Sequence, residues 1–243
     1  MIYHSRAIVL SQMKYAESSV ITHIYTREKG LQPFLINGVR KKKARISAAL
    51  LQPLSLIDMV AYYKPKGGLQ RVKEIKPEVP CISIYTDTVK MSVSMFLAEL
   101  IAKCLHEDIP DPLLFDYISN AVQWLENTEQ NCANFHLVFM AQFSKFLGIM
   151  PLVPEDKNFD GFLLNDGVFT KGKTTDIYCV NPPLLSKFVE ILGSNFDSLE
   201  SVSLSKNERA ALLDAFILFF KLQIEGFTDM KSLKILSELF YQE

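Results

Sequence analysis

At Pro80 the spacing of apolar residues changes from every second position to about every third or fourth. Side chains alternate across a strand and repeat every 3.6 residues on a helix, so a chain with this break folds as a sheet followed by helices. Before the break, Ala7-Ile8-Val9-Leu10 is a short β-type run, and residues 19–26 are rich in β-branched and aromatic types. Glu28-Lys29-Gly30 supplies a turn, with Gly30 free to take positive φ, ahead of a strand over 31–36. Residues 54–63 and 69–75 predict a second hairpin around Pro65-Lys66-Gly67-Gly68. Between the hairpins, residues 44–52 hold better helix formers and stop at Pro53.

Five strands with a short helix after the third fit a small barrel of the oligonucleotide/oligosaccharide-binding (OB) type. After the break, residues 87–105 repeat apolar groups at helical spacing. Asp111-Pro112 is an N-cap followed by proline at the first helical position, opening a helix to about residue 126. A further helix over 133–147 closes at Gly148, and Ser205 with Glu208 forms a capping box before a long helix that stops at Gly226. Residues 230–241 form a last short helix. The stretch 151–180 interrupts the pattern with Pro, Gly and Asn165-Asp166-Gly167, where Phe162 to Leu164 and Phe169 suggest a small hairpin. The expected class is α+β: an N-terminal OB barrel over 1–80, then a helical domain over 81–243 with an insertion at about 151–180.

Charge divides at the same place. Formal net charge is −1, yet residues 1–80 hold 14 Lys+Arg against 5 Asp+Glu, a balance of +9, and the remaining 163 residues carry −10. Five cations fall in the six residues Arg40, Lys41, Lys42, Lys43, Ala44 and Arg45, at the junction of the third strand and the short helix. Lys64 and Lys66 sit in the second hairpin loop, and Arg71 follows on its strand. Such a set neutralises phosphates without reading sequence. Tyr15, Tyr25, Phe34, Tyr62 and Tyr63 offer faces on which unpaired bases stack, although alternation sends at least half of them into the core.

Other functions find little footing. No apolar run reaches the roughly 18 residues of a membrane span, and Met-Ile-Tyr-His-Ser-Arg lacks the parts of a signal peptide. A cytosolic protein without membrane partners is expected. Cysteines at 81, 104, 132 and 179 are too irregularly spaced for a disulfide framework or a metal knuckle, and Cys104 is in phase with a helical apolar face. The histidines are isolated and no nucleophile elbow occurs. Gly167 to Thr174 satisfies the P-loop expression, so nucleotide binding is one alternative. A P-loop opens a helix directly, whereas residues 175–180 read as strand and Asn181-Pro182-Pro183 begins the next helix too late, which argues against the motif. A second alternative is an adaptor whose basic barrel meets an acidic protein.

Ala7-Ile8-Val9-Leu10, Glu17-Ser18, Gly30, Gly38-Val39-Arg40-Lys41, Leu51-Gln52-Pro53-Leu54 and Lys73-Glu74-Ile75 resemble the bacterial recombination mediator family RecO. The collinear likeness continues more weakly through residues 135–151 and Lys231-Ser232-Leu233-Lys234. The resemblance implies an OB-fold followed by a helical domain and no enzymatic activity or cofactor. It implies binding of single- and double-stranded DNA, strand annealing, and loading of RecA with RecR onto strands coated by single-stranded DNA-binding protein (SSB), in the cytoplasm at the nucleoid. The basic run after Gly38-Val39 then corresponds to the family's DNA-binding region. Lys221, Lys231 and Lys234 become candidates for the acidic SSB tail. Many members carry a four-cysteine zinc module where this chain has only Cys179, so an insertion without zinc is expected, held by Phe159, Phe162 and Phe169.

Overall fold

The computed structural model describes residues 1–39, 41, 44–65, 67–105, 109–172 and 176–241, and the chain divides into two compact units, Met1–Asn127 and Thr128–Glu243. In the first unit five strands, β1 (Ile2–Lys14), β2 (Val20–Thr26), β3 (Gly30–Ile36), β4 (Leu56–Tyr62) and β5 (Gln70–Val79), close into a barrel in the order β1-β2-β3-β5-β4. Strand β1 is far longer than the four-residue run that marks it in the sequence, because it pairs with β4 along its first half and with β2 along its second. A bulge between Val9 and Ser11 bends it from one partner to the other. All pairs are antiparallel except β3–β5, which meet in parallel only at Phe34–Gln70 and Leu35–Arg71. Inward residues such as Ala7, Val9, Ile24, Phe34, Met59 and Ala61 fill the barrel. The helix expected over 44–52 is one 3₁₀ turn, Ala48–Leu51, since Ser47 caps it from Ala49 N at 3.3 Å and Pro53 forbids its extension.

The compact unit around the barrel runs beyond residue 80 and takes in α1 (Ser83–Thr86), α2 (Thr88–Cys104) and α3 (Pro112–Asn127). Asp87 caps α2 through the amides of Val89 and Lys90, and Asp111 caps α3 through those of Leu113 and Leu114. These helices are held because the barrel has outward-facing apolar residues that need cover. Leu56, Ile8, Tyr25 and Leu31 lie side by side across β4, β1, β2 and β3, and all are at most 4% exposed. Helix α2 lies along β1, while Tyr25 packs on Phe115 at 5.8 Å and its hydroxyl donates to the Asp111 carbonyl at 3.1 Å. Arg27 forks onto Asp116 at 3.0 and 2.9 Å, and Arg6 reaches Glu78, Asp116 and Ser119. At the β2–β3 turn Gly30 has φ +68°, and a Cβ there would stand 2.5 Å from the Ile109 carbonyl oxygen.

The second unit contains α4 (Phe135–Phe146), α5 (Leu184–Leu192), α6 (Lys206–Gln223) and α7 (Ser232–Tyr241). Ser205 and Glu208 make the expected reciprocal capping box on α6. Phenylalanines dominate its core: Phe139, Phe143, Phe188, Phe216, Phe219 and Phe220 are at most 1% exposed. The insertion is a three-stranded sheet in which β6 (Gly161–Leu163) pairs with β7 (Val168–Thr170) on one side and β8 (Cys179–Val180) on the other. Phe159 and Phe162 pack against Phe169 at 4.5 and 4.9 Å, the apolar contacts that the sequence suggested. No described helix is long and apolar enough to cross a membrane.

Two outcomes follow from this packing. Gly30→Ala should lower stability in chemical denaturation by about 2 kcal/mol or more, combining left-handed strain with backbone collision; an unchanged midpoint would contradict the close approach. His136 on α4 is fully buried, and desolvation, with the Arg209 charge second, lowers its pKa to about 3. The unfolded chain binds this proton near pH 6.5 and the folded chain does not, so stability should fall as pH drops from about 6.5 toward 3. In His136→Gln, denaturation midpoints measured between pH 7 and 5 should lose that component of the slope.

Candidate nucleic-acid interface

Four of the eight cations expected to meet DNA are described: Lys41, Arg45, Lys64 and Arg71 are all exposed. Arg40, Lys42, Lys43 and Lys66 lie outside the described residues. Local structure explains where the four point. After β3, Lys41 N donates to Gly38 O and Ala44 N to Lys41 O. Ile46 then enters the barrel core, which leaves its neighbour Arg45 in solvent. Buried Gln70 accepts from the Lys64 amide at 2.9 Å and donates to the Lys64 carbonyl at 3.3 Å. The β4–β5 loop is thereby tied down while the Lys64 side chain stays outside.

Arg45 and Arg71 come together. They line a shallow groove of about 190 Å³ with Asn37, Lys73 and the strand residues Leu35 and Val72. The groove exists because β3 and β5 pair at only two positions and diverge beyond them. No acidic side chain lines it, and among the described residues Lys41, Arg45, Lys64, Arg71 and Lys73 make no ion pair. Arg6 and Arg27 instead hold α3, and Lys76 pairs with Glu74 at 3.4 Å. Uncompensated like charges in one concavity raise the local potential and favour an anion. Sequence reasoning missed Lys73 and Asn37; Lys73 is two residues after Arg71 on one strand, so strand parity alone would have placed it on the same face.

The aromatic residues separate cleanly. Tyr25 and Phe34 are buried, and Tyr63 is half-buried with Tyr3 edge-on at 6.2 Å and the Lys29 ammonium over its ring at 4.8 Å. Tyr15 and Tyr62 are exposed, at 59% and 41%. In the second unit Lys221 pairs with Asp229 at 2.9 Å and Lys234 with Glu238 at 3.8 Å, both exposed, while Lys231 immediately precedes α7. An incoming carboxylate would compete with Asp229 for Lys221 and with Glu238 for Lys234.

The nucleotide-binding alternative fails on geometry. Gly167, at φ +69°, forms the tight turn of the β6–β7 hairpin, and Val168–Thr170 are strand rather than a phosphate-cradling loop. The Gly172 amide already donates to Asp160 at 2.7 Å, and the next described helix begins at Leu184. Lys173 and Thr174 lie outside the described residues. No disulfide joins the four cysteines, and among the described residues no three of His, Cys, Asp and Glu gather at a metal site. Burial raises the Cys81 and Cys104 thiol pKa values, which disfavours reactive thiolates.

The chain matches the family description "Recombination protein O N terminal" over residues 1–79 and "Recombination protein O C terminal" over residues 85–234. It is 32% identical over 241 residues to the DNA repair protein RecO of Christiangramia forsetii, covering 99% of this chain and 100% of the relative. Its identity to the RecO of Phocaeicola vulgatus is 32% over 240 residues, with 99% and 100% covered. Against the RecO of Flavobacterium johnsoniae it is 33% over 237 residues, with 97% and 98% covered. Matches of this extent, over an OB-type barrel followed by helices, make the chain a member of the recombination protein O family, a DNA repair and recombination protein.

Proposed function

We propose that the chain acts without catalysis as a recombination mediator. It binds single- and double-stranded DNA through the barrel, anneals complementary strands, and with RecR promotes RecA loading onto SSB-coated DNA in the cytoplasm at the nucleoid. The observation that carries this reading is the groove at the β3–β5 seam, where Arg45, Arg71 and Lys73 face solvent without a carboxylate among the lining residues. Cations so placed bind the phosphate chain and release its counterions, whatever the base sequence. Lys41 and Lys64 are further exposed cations of the same unit, and Arg40, Lys42, Lys43 and Lys66 are their neighbours in the sequence. Annealing fits this arrangement, since screening by a protein lowers the repulsion between two phosphate backbones. For the SSB tail, Lys221, Lys231 and Lys234 around α6 and α7 are the proposed contacts, with Leu222 and Ile235 exposed on the same helices for its apolar end.

A salt series tests the reading. For a labelled single strand, the plot of log affinity against log salt should be steep. In the Arg45→Ala, Arg71→Ala, Lys73→Ala triple variant it should flatten by about 2, near 0.7 for each lost phosphate contact. An unchanged slope would remove the groove from the binding site.

A further inference from the structure

The barrel carries a second row of outward residues that stay wholly or partly open to solvent. Following the register from strand to strand, Ile2 opposes Tyr62, Tyr62 opposes Arg71, Arg71 opposes Leu35, Leu35 opposes Ile21 and Ile21 opposes Met13. Directly opposed residues project on one face of a sheet. Here that face is the outside, because their neighbours Tyr3, Ala61, Phe34, Ile36 and Val20 belong to the barrel core. The row returns to β1 eleven positions further along, at Met13 rather than Ile2, so it is a spiral track and not a closed belt. Five steps between strands at about 4.8 Å make it about 24 Å long.

Its composition is unusual for a solvent face. Ile2, Tyr62 and Met13 are 51%, 41% and 56% exposed, and Leu35 and Ile21 are half-buried. The other outer apolar row, through Ile8 and Tyr25, is covered by α2 and α3. An exposed apolar band of this kind marks a binding surface. Charge complementarity decides its occupant. Arg71 sits within the row and also lines the groove beside it, together with Arg45 and Lys73. A ligand that sets apolar faces on one side and a string of anions on the other satisfies both features. A duplex does not, since its bases are stacked inside and only phosphates and groove edges face outward. A single strand with unstacked bases does.

We infer that the track from Met13 through Ile21 and Leu35 to Tyr62 contacts the bases of single-stranded nucleic acid, while Arg71, Arg45 and Lys73 follow its phosphates. Tyr62 supplies the stacking ring, and Met13, Ile21 and Leu35 give sequence-tolerant apolar contacts. This rests on the nucleic-acid reading of the groove and adds base contact to it, with single strands preferred over duplex.

The test separates bases from phosphates. Binding of the intact chain to a labelled 15-residue oligothymidylate is compared, at one salt concentration, with binding to an abasic tetrahydrofuran oligomer of equal length. The base-bearing strand should bind at least about tenfold more tightly. Tyr62→Ala and Met13→Ser, both at exposed positions, should each narrow that ratio while leaving affinity for the abasic oligomer unchanged. Equal affinity of the wild type for both oligomers would overturn the base track and leave phosphate binding standing, as would occupancy of the row by an apolar peptide. Parallel loss of both ligands in the variants would also overturn it. Failure to bind either oligomer would sink the nucleic-acid reading on which it depends.

Discussion

The carboxylate of Asp116 accepts a two-pronged hydrogen bond from Arg27, and Arg6 adds a third contact from the neighbouring strand. A bidentate arginine–carboxylate pair is among the stronger and more directional polar contacts. It fixes α3 across one outer face of the barrel, where Phe115 meets Tyr25, and the partly exposed charges are spared the full cost of desolvation. The arginine partners hold the Asp116 carboxyl below its ordinary pKa, so the joint weakens as acid protonates it. The same contact decides what the basic half has left for a ligand. Two of its cations are committed to holding helices, and those around the β3–β5 seam are not.

The barrel therefore has two outer apolar rows with different fates. The row through Ile8 and Tyr25 is sealed by helices and behaves as core. The spiral row from Met13 to Tyr62 stays open beside an acid-free groove. A barrel closed by hydrogen bonds has no free edge to add a strand, so recognition must use side chains on its outer surface. Because the acidic residues are concentrated after residue 80 and none lines the groove, a protein with net charge −1 still presents a cationic groove.

Much of this was legible in the sequence where the signal is local. The turn at Glu28-Lys29-Gly30, the caps at Asp111 and Ser205, and the helices after residue 80 rest on neighbours a few residues apart. The length of β1 was hidden, because its first half is stabilised by partners 48 to 60 residues away on β4 and its second half by a different strand, β2. The 3₁₀ turn at Ala48–Leu51 was overestimated because helix propensity says nothing about the length of chain available before Pro53. Arg45 and Arg71 could be named as cations but not joined, since only the parallel β3–β5 seam brings them to one groove. Arg6 and Arg27 count toward the +9 of residues 1–80, but both pair with Asp116 on α3. The Gly167 to Thr174 motif, which its sequence context argued against, begins at the turn of a hairpin rather than in a phosphate-binding loop.

Amide hydrogen exchange of the intact chain, with and without an oligothymidylate at low salt, reads out which face of the barrel meets a single strand. The account requires slowed exchange in the β1–β2 and β4–β5 loops and around residues 35–37 and 70–73, with the amides of α3 unchanged. Protection confined to residues 128–243, or centred on the face that α3 covers, would contradict it.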